Sequence, residues 1–374
     1  MPVLPVNGKR EGIFKGAVGR RSPRGDRASS QGASPSPNNL YHMLVLGIET
    51  SCDETAAAVV EDGRRLLGSV VATQFELHAV YGGVVPELAA RRHLENIVPV
   101  IQGALDQAGV SLRDLDGVAA TQRPGLIGAL VVGMAVAKAI TYSLGLPLAG
   151  VHHLEAHIAS LWLTESVPPF PFVALVVSGG HTNLYRVESL LDMALLSRTR
   201  DDAAGEAFDK VAKLMGLGYP GGVVIEALAQ SGNSQAFELP RPRILKEPLT
   251  FSYSGLKTAV AYLLKKHPEI LRESSSRADL AASFQEAVVE SLVTRAWEAL
   301  RRTDCRSLAV CGGVAANGRL RQVLQDRAAA DGVALFLPPL SLCTDNAAMV
   351  AALGYHHLRA GKRLDLGADV FSRG

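Results

Sequence analysis

Before Met43 apolar residues carry no periodic signal, and from Leu44 onward they dominate the chain. They first come in short unbroken runs bounded by turn residues, which is how buried strands read. Strands are predicted over 44–49, 56–61 and 65–73, with a turn at Asp62-Gly63. A helical period follows over 86–108, then a buried strand over 117–121. Beyond the Pro124-Gly125 break the residues up to Gly150 are mostly apolar, as in a membrane span. Lys138 interrupts that run and Gly145-Leu146-Pro147 breaks it, so a buried helix followed by a strand is predicted instead.

A second unit opens at Phe172 and repeats the first. Phe172–Val177 reads as a strand, Ser178-Gly179-Gly180 as a tight turn and Thr182–Val187 as a return strand. Helical stretches lead to a buried strand at Ser307–Cys311 running into Gly312-Gly313, and a last helix over 346–360 closes the chain. Two hairpins, each opening a half and each with small polar residues at its tip, predict an internally duplicated α/β fold. Its two lobes would hold a nucleotide between them.

Between the halves lies His152-His153-Leu154-Glu155-Ala156-His157. Leu154, Ile158, Leu161 and Trp162 recur at helical spacing, which puts His153 and His157 one turn apart beside that stripe. Two imidazoles so placed suit one divalent metal. Capping or core histidines are the alternative. A pair needs a further protein ligand, commonly a carboxylate from a distant segment. Asp345, just ahead of the last helix, either supplies it or caps that helix. His181 is expected to serve hydrogen bonding or structure rather than a metal. The order His-x-Glu-x-His also suggests a metallopeptidase, but Glu155 lies roughly 200° around the helix from His153, the wrong face for that chemistry.

Other segments fit a ligand cleft. The tip Glu49–Thr55 offers backbone N–H groups and hydroxyls that can cradle phosphates, or it is a plain turn. Ser178-Gly179-Gly180-His181-Thr182 lets backbone approach a ligand closely. Asp201, Asp202, Glu206 and Asp209 share a stretch with Phe208, too dense in charge for an ordinary solvated helix face, although a charged surface is the alternative. Glu226, one turn after Gly222, suits ribose hydroxyls. The glycines of Cys311–Asn317 leave room for a flat base against backbone.

Composition narrows the class. The chain has 374 residues, is 48% apolar and contains four cysteines with no CxxC pair. That size allows two lobes, and that cysteine usage suits a reducing, cytoplasmic setting. Of the net charge of +2, residues 1–42 carry +5 (seven Lys and Arg against Glu11 and Asp26), leaving the body from Met43 at −3. Residues 1–42 are expected to be a disordered basic tail, either a start site assigned too far upstream or a transit segment. Any nucleic-acid surface on the body must then be a local basic patch. Lys257, Lys265 and Lys266 offer one, unless Lys257 caps a turn or pairs with a carboxylate.

Taken together these segments resemble one family, the universal tRNA N6-adenosine threonylcarbamoyltransferases, in their bacterial and organellar form. The resemblance spans 43–374 and rests on Gly47–Thr55, His153 with His157, Ser178–Thr182, Asp201–Lys210, Tyr219–Gly222, Ser254–Thr258, Cys311–Asn317 and Thr344–Ala347. It implies the actin-like, sugar-kinase-like (ASKHA) fold, two RNase H-like lobes around a nucleotide cleft, with 43–152 plus 345–374 as lobe I and 153–344 as lobe II. It implies transfer of a threonylcarbamoyl group from threonylcarbamoyl-AMP to adenosine 37 of tRNAs reading ANN codons. His153, His157 and Asp345 would hold one divalent metal, Fe(2+) favoured and Zn(2+) possible. Val176, Val177, Ser178, Gly179, Gly180, Asp209, Gly222, Glu226 and Asn317 would contact the adenylate. Asp53 and Glu54 are candidates for polarising the attacking amine. A smaller paralogous subunit and a P-loop ATPase are the implied partners, with no membrane. One departure is Arg123-Pro124-Gly125-Leu126 where the family usually has Gly-Pro-Gly-Leu, which would strain Arg123 if that position needs φ > 0.

Overall fold

The computed structural model describes residues 42–241 and 247–373. Except for His42, the expected basic tail lies outside them.

The first sheet is built from β1 (Leu44–Glu49), β2 (Glu54–Glu61), β3 (Arg65–Thr73), β4 (Gly117–Arg123) and β5 (Leu148–His152), in the order β3-β2-β1-β4-β5. β1 and β2 pair antiparallel, as do β2 and β3, while β4 joins β1 and β5 joins β4 in parallel. The second sheet holds β6 (Phe172–Val177), β7 (Thr182–Ser189), β8 (Asp192–Arg198), β9 (Ser307–Cys311) and β10 (Ala334–Phe336), ordered β10-β9-β6-β7-β8. Read from the other edge, this is the first sheet's order with the same pattern of pairing. The predicted duplication is therefore a duplication of topology.

Alternation along each strand decides which core it feeds. In β1, Leu44, Leu46 and Ile48 enter a core beneath α2 (Pro86–Ala108) and α3 (Ile127–Leu144). Val45, Gly47 and Glu49 face the other way, toward α10 (Ala347–Arg359). In β6, Phe172, Ala174 and Val176 join that same inner core between the sheets, whereas Val173, Leu175 and Val177 enter the outer core of the second lobe. The outer core is closed by α5 (Ala204–Leu214), α6 (Gly221–Ala229), α7 (Ser254–Lys266), α8 (Ser274–Thr303) and α9 (Gly318–Asp331).

The apolar stretch from Pro124 to Gly150 becomes α3 followed by β5, with Val132, Met134 and Ala137 packed inward. Among the described residues α3 is the one helix long and apolar enough to cross a membrane. Arg123 ends β4 beside an irregularity in its pairing with β5, and it is absent from the residues with positive φ. The strain anticipated at Arg123 is not there, because extended backbone accepts any L residue.

A candidate metal centre beside an inter-lobe cleft

Both hairpin tips line one cleft of about 670 Å³, with Ser51, Cys52, Asp53 and Glu54 on one side and Ser178, Gly179, Gly180 and His181 on the other. His153 and Asp345 open onto the same cleft.

The histidine pair sits on α4 (His153–Ala159), which starts where β5 ends. The helix is shorter than the apolar stripe suggested, giving way to a 3-10 turn over Ser160–Leu163, yet Leu154, Ile158, Leu161 and Trp162 are all buried. His153 and His157 are buried with ring centroids 4.8 Å apart. Asp345 reaches them because α10 lies hard against β1. A Cβ on Gly47 would come within 2.2 Å of the Ala347 carbonyl oxygen, so only glycine permits that approach. Asp345 does not cap α10; Asn346 does, accepting the Met349 N–H at 3.0 Å. The Asp345 carboxylate is therefore left for the histidines, with Oδ1 at 3.1 Å from His157 Nε2 and 3.5 Å from His153 Nε2.

One donor atom from each of these three residues falls within 4.8 Å of the others. Both ring nitrogens of His157 are buried without a hydrogen-bond partner, although Nε2 is close to Asp345. Two imidazole nitrogens and a carboxylate oxygen brought this close offer a shared cation its ligands, and two imidazoles with a carboxylate suit Fe(2+) or Zn(2+). The residues present fit the implied metal.

Sequence reasoning placed Glu49 in the hairpin tip but missed its part in supporting the histidines. Glu49, fully buried at the end of β1, accepts from Ser51 N–H at 2.6 Å and from Thr121 Oγ1 at 2.7 Å, and lies 3.0 Å from His153 Nδ1. A carboxylate there keeps a proton on Nδ1 and leaves Nε2 free to ligate. Burial opposes the ionisation of Glu49, but contact with His153 outweighs it and holds the carboxyl below its usual range. Burial likewise opposes charge on His153, and Asp345 and Glu49 overcome it, raising the imidazole well above its ordinary pKa. The signal for Glu49 was available in the alternation Val45, Gly47, Glu49.

The rest of the cleft is acidic. Asp53 Oδ2 is buried without a partner. Beside it Glu54 titrates well above the usual range, through burial first and then the charges of Asp345 and Asp53. Buried His93, also overlooked from sequence, ties the first tip together: its Nε2 is 2.9 Å from the Cys52 carbonyl oxygen and its Nδ1 2.8 Å from Thr55 Oγ1. Across the cleft Asp209 accepts the Gly221 N–H at 2.7 Å, and burial raises its carboxyl to about 6.

Of the nine expected adenylate residues, seven line the cleft and two do not. Ser178, Gly179, Gly180, Asp209, Gly222, Glu226 and Asn317 line the cleft, and a Cβ on Gly179, Gly180 or Gly222 would meet nothing within 4 Å, so these glycines leave open space. Glu226 and Asn317 already have structural partners: Glu226 Oε1 accepts the Gly318 N–H at 2.7 Å, and Asn317 caps α9 and donates to Gln285. Val176 and Val177 have fully buried side chains in the two cores, which leaves only their backbone for a ligand. Gly312, at φ 95°, passes so close to Val177 that a Cβ would lie 2.4 Å from its carbonyl oxygen. His181 stays outside the donor cluster; its carbonyl and N–H bond Ser178, and burial followed by the nearby histidines lowers its imidazole to about 4.

The dense carboxylates of the 201–209 stretch separate by role. Asp201 binds Ser252, Tyr253 and Ser254, while Asp202 pairs with Lys210 and Lys257. Lys257 thus takes the ion-paired alternative.

The family model for tRNA N6-adenosine threonylcarbamoyltransferase (TsaD) matches residues 65–352. The tRNA N6-adenosine threonylcarbamoyltransferase of Syntrophus aciditrophicus (strain SB) is 53% identical over 334 residues, covering 88% of this chain and 97% of its own. That of Anaeromyxobacter dehalogenans (strain 2CP-C) is 54% identical over 328 residues, covering 87% and 98%. Among solved structures, full-length HypF in its phosphate- and nucleotide-bound form aligns with a TM-score of 0.57 at 13% identity, covering 86% of this chain and 56% of HypF. Component A of the Acidaminococcus fermentans (R)-2-hydroxyglutaryl-CoA dehydratase aligns with a TM-score of 0.51 at 16% identity, covering 85% and 99%. The two structures speak for the bilobal actin-like fold alone. With that fold, half-identical relatives matched along nearly their whole length, and a family model spanning most of the body, the chain belongs to the tRNA N6-adenosine threonylcarbamoyltransferase family and is a transferase.

Proposed function

We propose that the protein transfers the threonylcarbamoyl group of threonylcarbamoyl-AMP to the N6 amine of adenosine 37 in tRNAs that read ANN codons. The observation that carries this reading is the convergence of His153, His157 and Asp345 at the edge of a glycine-lined cleft between the lobes. In the reaction the amine nitrogen attacks the carbamoyl carbonyl, the bond to the adenylate oxygen breaks, AMP leaves and the amine loses one proton. Such a step depends on fixed geometry and on stabilising charge at the carbonyl oxygen more than on a strong base. A divalent metal, Fe(2+) favoured and Zn(2+) possible, would be held by His153, His157 and Asp345 and supply Lewis acidity.

The chain's own residues would do the rest. Glu49 orients His153. Gly179, Gly180 and Gly222 admit the adenylate, and Asp209 and Glu226 offer acceptors for its hydroxyls or amino group. Asp53, with an unpartnered buried oxygen, accepts the hydrogen bond from the attacking amine, Glu54 beside it. A peptidase role for Glu155 has no support: it is outside the donor cluster, and the charges acting on it are Arg123 and Lys362.

A smaller paralogous subunit and a P-loop ATPase are proposed as partners in the cytoplasm. The exposed apolar residues Leu94 and Val98 on α2 and Ile127 and Val131 on α3 offer a surface for such a protein to cover. The direct test is expression in a bacterial strain lacking its own transferase. Restored threonylcarbamoyl-adenosine at position 37, measured by mass spectrometry of digested tRNA, is the expected result. Its absence, together with no transfer from the adenylate by purified protein, would refute the proposal.

A further inference from the structure

We propose that the groove between α5 and α7 receives the tRNA backbone and leads it into the cleft. This rests on the reading of tRNA as substrate and adds the surface that holds it. The groove encloses about 480 Å³ and is lined by Lys210, Lys213, Lys257, Thr258, Tyr262 and Lys265, among others.

Its charge is arranged in two layers. Asp202 lies between Lys210 at 2.7 Å and Lys257 at 3.2 Å, and Glu206 pairs with Lys210 at 2.7 Å, so the deeper lysines are compensated and bind α5 to α7. Lys213 and Lys265 are exposed, and among the described residues no carboxylate pairs with either. On a body whose net charge from Met43 is −3, two uncompensated ammonium groups flanking one groove select a polyanion locally. Tyr262, 69% exposed on the same groove, adds a flat ring of the kind on which an unpaired base stacks.

The groove also has a route to the chemistry. α5 carries Asp209 in the cleft and Lys213 one turn further out. Lys213 Nζ lies 3.5 Å from where a Cβ on Gly82 would stand, and the next residues, Gly83 and Val84, line the cleft. Tyr81, on the same loop, is exposed. A strand tracking the lysines therefore arrives at the mouth of the cleft beside a second aromatic side chain. Phosphates positioned along the groove and bases free to leave the stack are what an enzyme modifying a base edge needs.

The test compares the full chain with its Lys213→Glu/Lys265→Glu variant in tRNA-binding titrations at several salt concentrations, with AMP binding by calorimetry as the internal reference. The dissociation constant for tRNA should rise at least tenfold at about 0.1 M salt, and its log–log salt slope should become shallower by about 1.5, two phosphate contacts being lost. AMP affinity should not change. Tyr262→Ala should weaken tRNA binding more than fivefold, with Tyr262→Phe restoring it. If the reversed-charge pair melts early, Lys213→Gln/Lys265→Gln carries the same expectation with a smaller change in affinity. Unchanged tRNA affinity and slope in the variants overturns the groove alone, as does loss of an acidic protein's binding with tRNA binding intact. Failure of the unaltered chain to bind tRNA overturns both the groove and the substrate reading.

Discussion

Replacing His157 by alanine tests the proposed metal centre most sharply, because the side chain is fully buried and neither ring nitrogen has a hydrogen-bond partner. An ion bound only by the folded state adds about 2.7 kcal/mol of stability at a free concentration one hundred times its dissociation constant. Unfolding the roughly 330 described residues carries an entropy of about 0.7 kcal/mol/K. The two together give a melting temperature about 4 °C higher with metal than after chelation. The comparison is made within each protein, so the cost of the cavity left by the substitution, about 2–5 kcal/mol, cancels. Scanning calorimetry under anaerobic conditions, first with Fe(2+), then with Zn(2+), then with chelator, provides the measurement. The unaltered chain should show the shift and His157→Ala should show none, with elemental analysis finding the variant empty and transfer abolished. An equal metal-dependent shift in the variant would refute the assignment of His157 as a ligand.

Two further predictions follow from local geometry. Asp209 has a folded pKa of about 6 against 3.8 for the free carboxyl, so its ionised form carries a folding penalty that is absent below pH 3.8 and grows until pH 6 is passed. Asp209→Asn, neutral throughout, should therefore be more stable than the parent by about 3 kcal/mol at pH 7.5 and by about half of that at pH 5; a stability difference that does not vary with pH contradicts this. A chain beginning at Met43 should keep its melting temperature to within about 2 °C and its transfer activity, because Met43 N–H still reaches Asp62 Oδ1 at 2.8 Å. A large loss in either property would make the preceding residues part of the working protein.

The strands that position the site were readable because strands buried on both faces appear as unbroken apolar runs. β1 and β6 keep their predicted limits, while β2 begins two residues earlier than expected, at Glu54, which pairs with Thr73. β8 escaped notice since it lies at a sheet edge, half exposed, with polar residues mixed into the run. β10, only three residues long, offers no period at all. Helical spacing exposed the histidine pair, but spacing within one segment says nothing about contacts across the chain. The 3.5 Å approach of Lys213 to the Gly82 position and the ion pair of Lys257 with Asp202 both depend on how helices pack against distant loops.

Asp345 shows where the boundary between readable and unreadable falls. From sequence it was either a cap or a ligand, two roles of the same carboxylate one residue from a helix start. What separates them is the neighbour: Asn346 takes the cap, so Asp345 has no helical partner to satisfy and turns to His157. The turn succeeds only because Gly47 lets α10 approach β1, which brings the segment from the end of the chain over the strand that ends in Glu49. Alternation along β1 then aims Glu49 at His153 from the opposite side. One strand thus supplies both the close helix contact, through its fourth residue, and the supporting carboxylate, through its sixth. A larger residue at Gly47 would push α10 away and separate Asp345 from the histidines without touching any of the three donors. The proposed metal site is in this sense a property of the helix–strand packing as much as of its ligands.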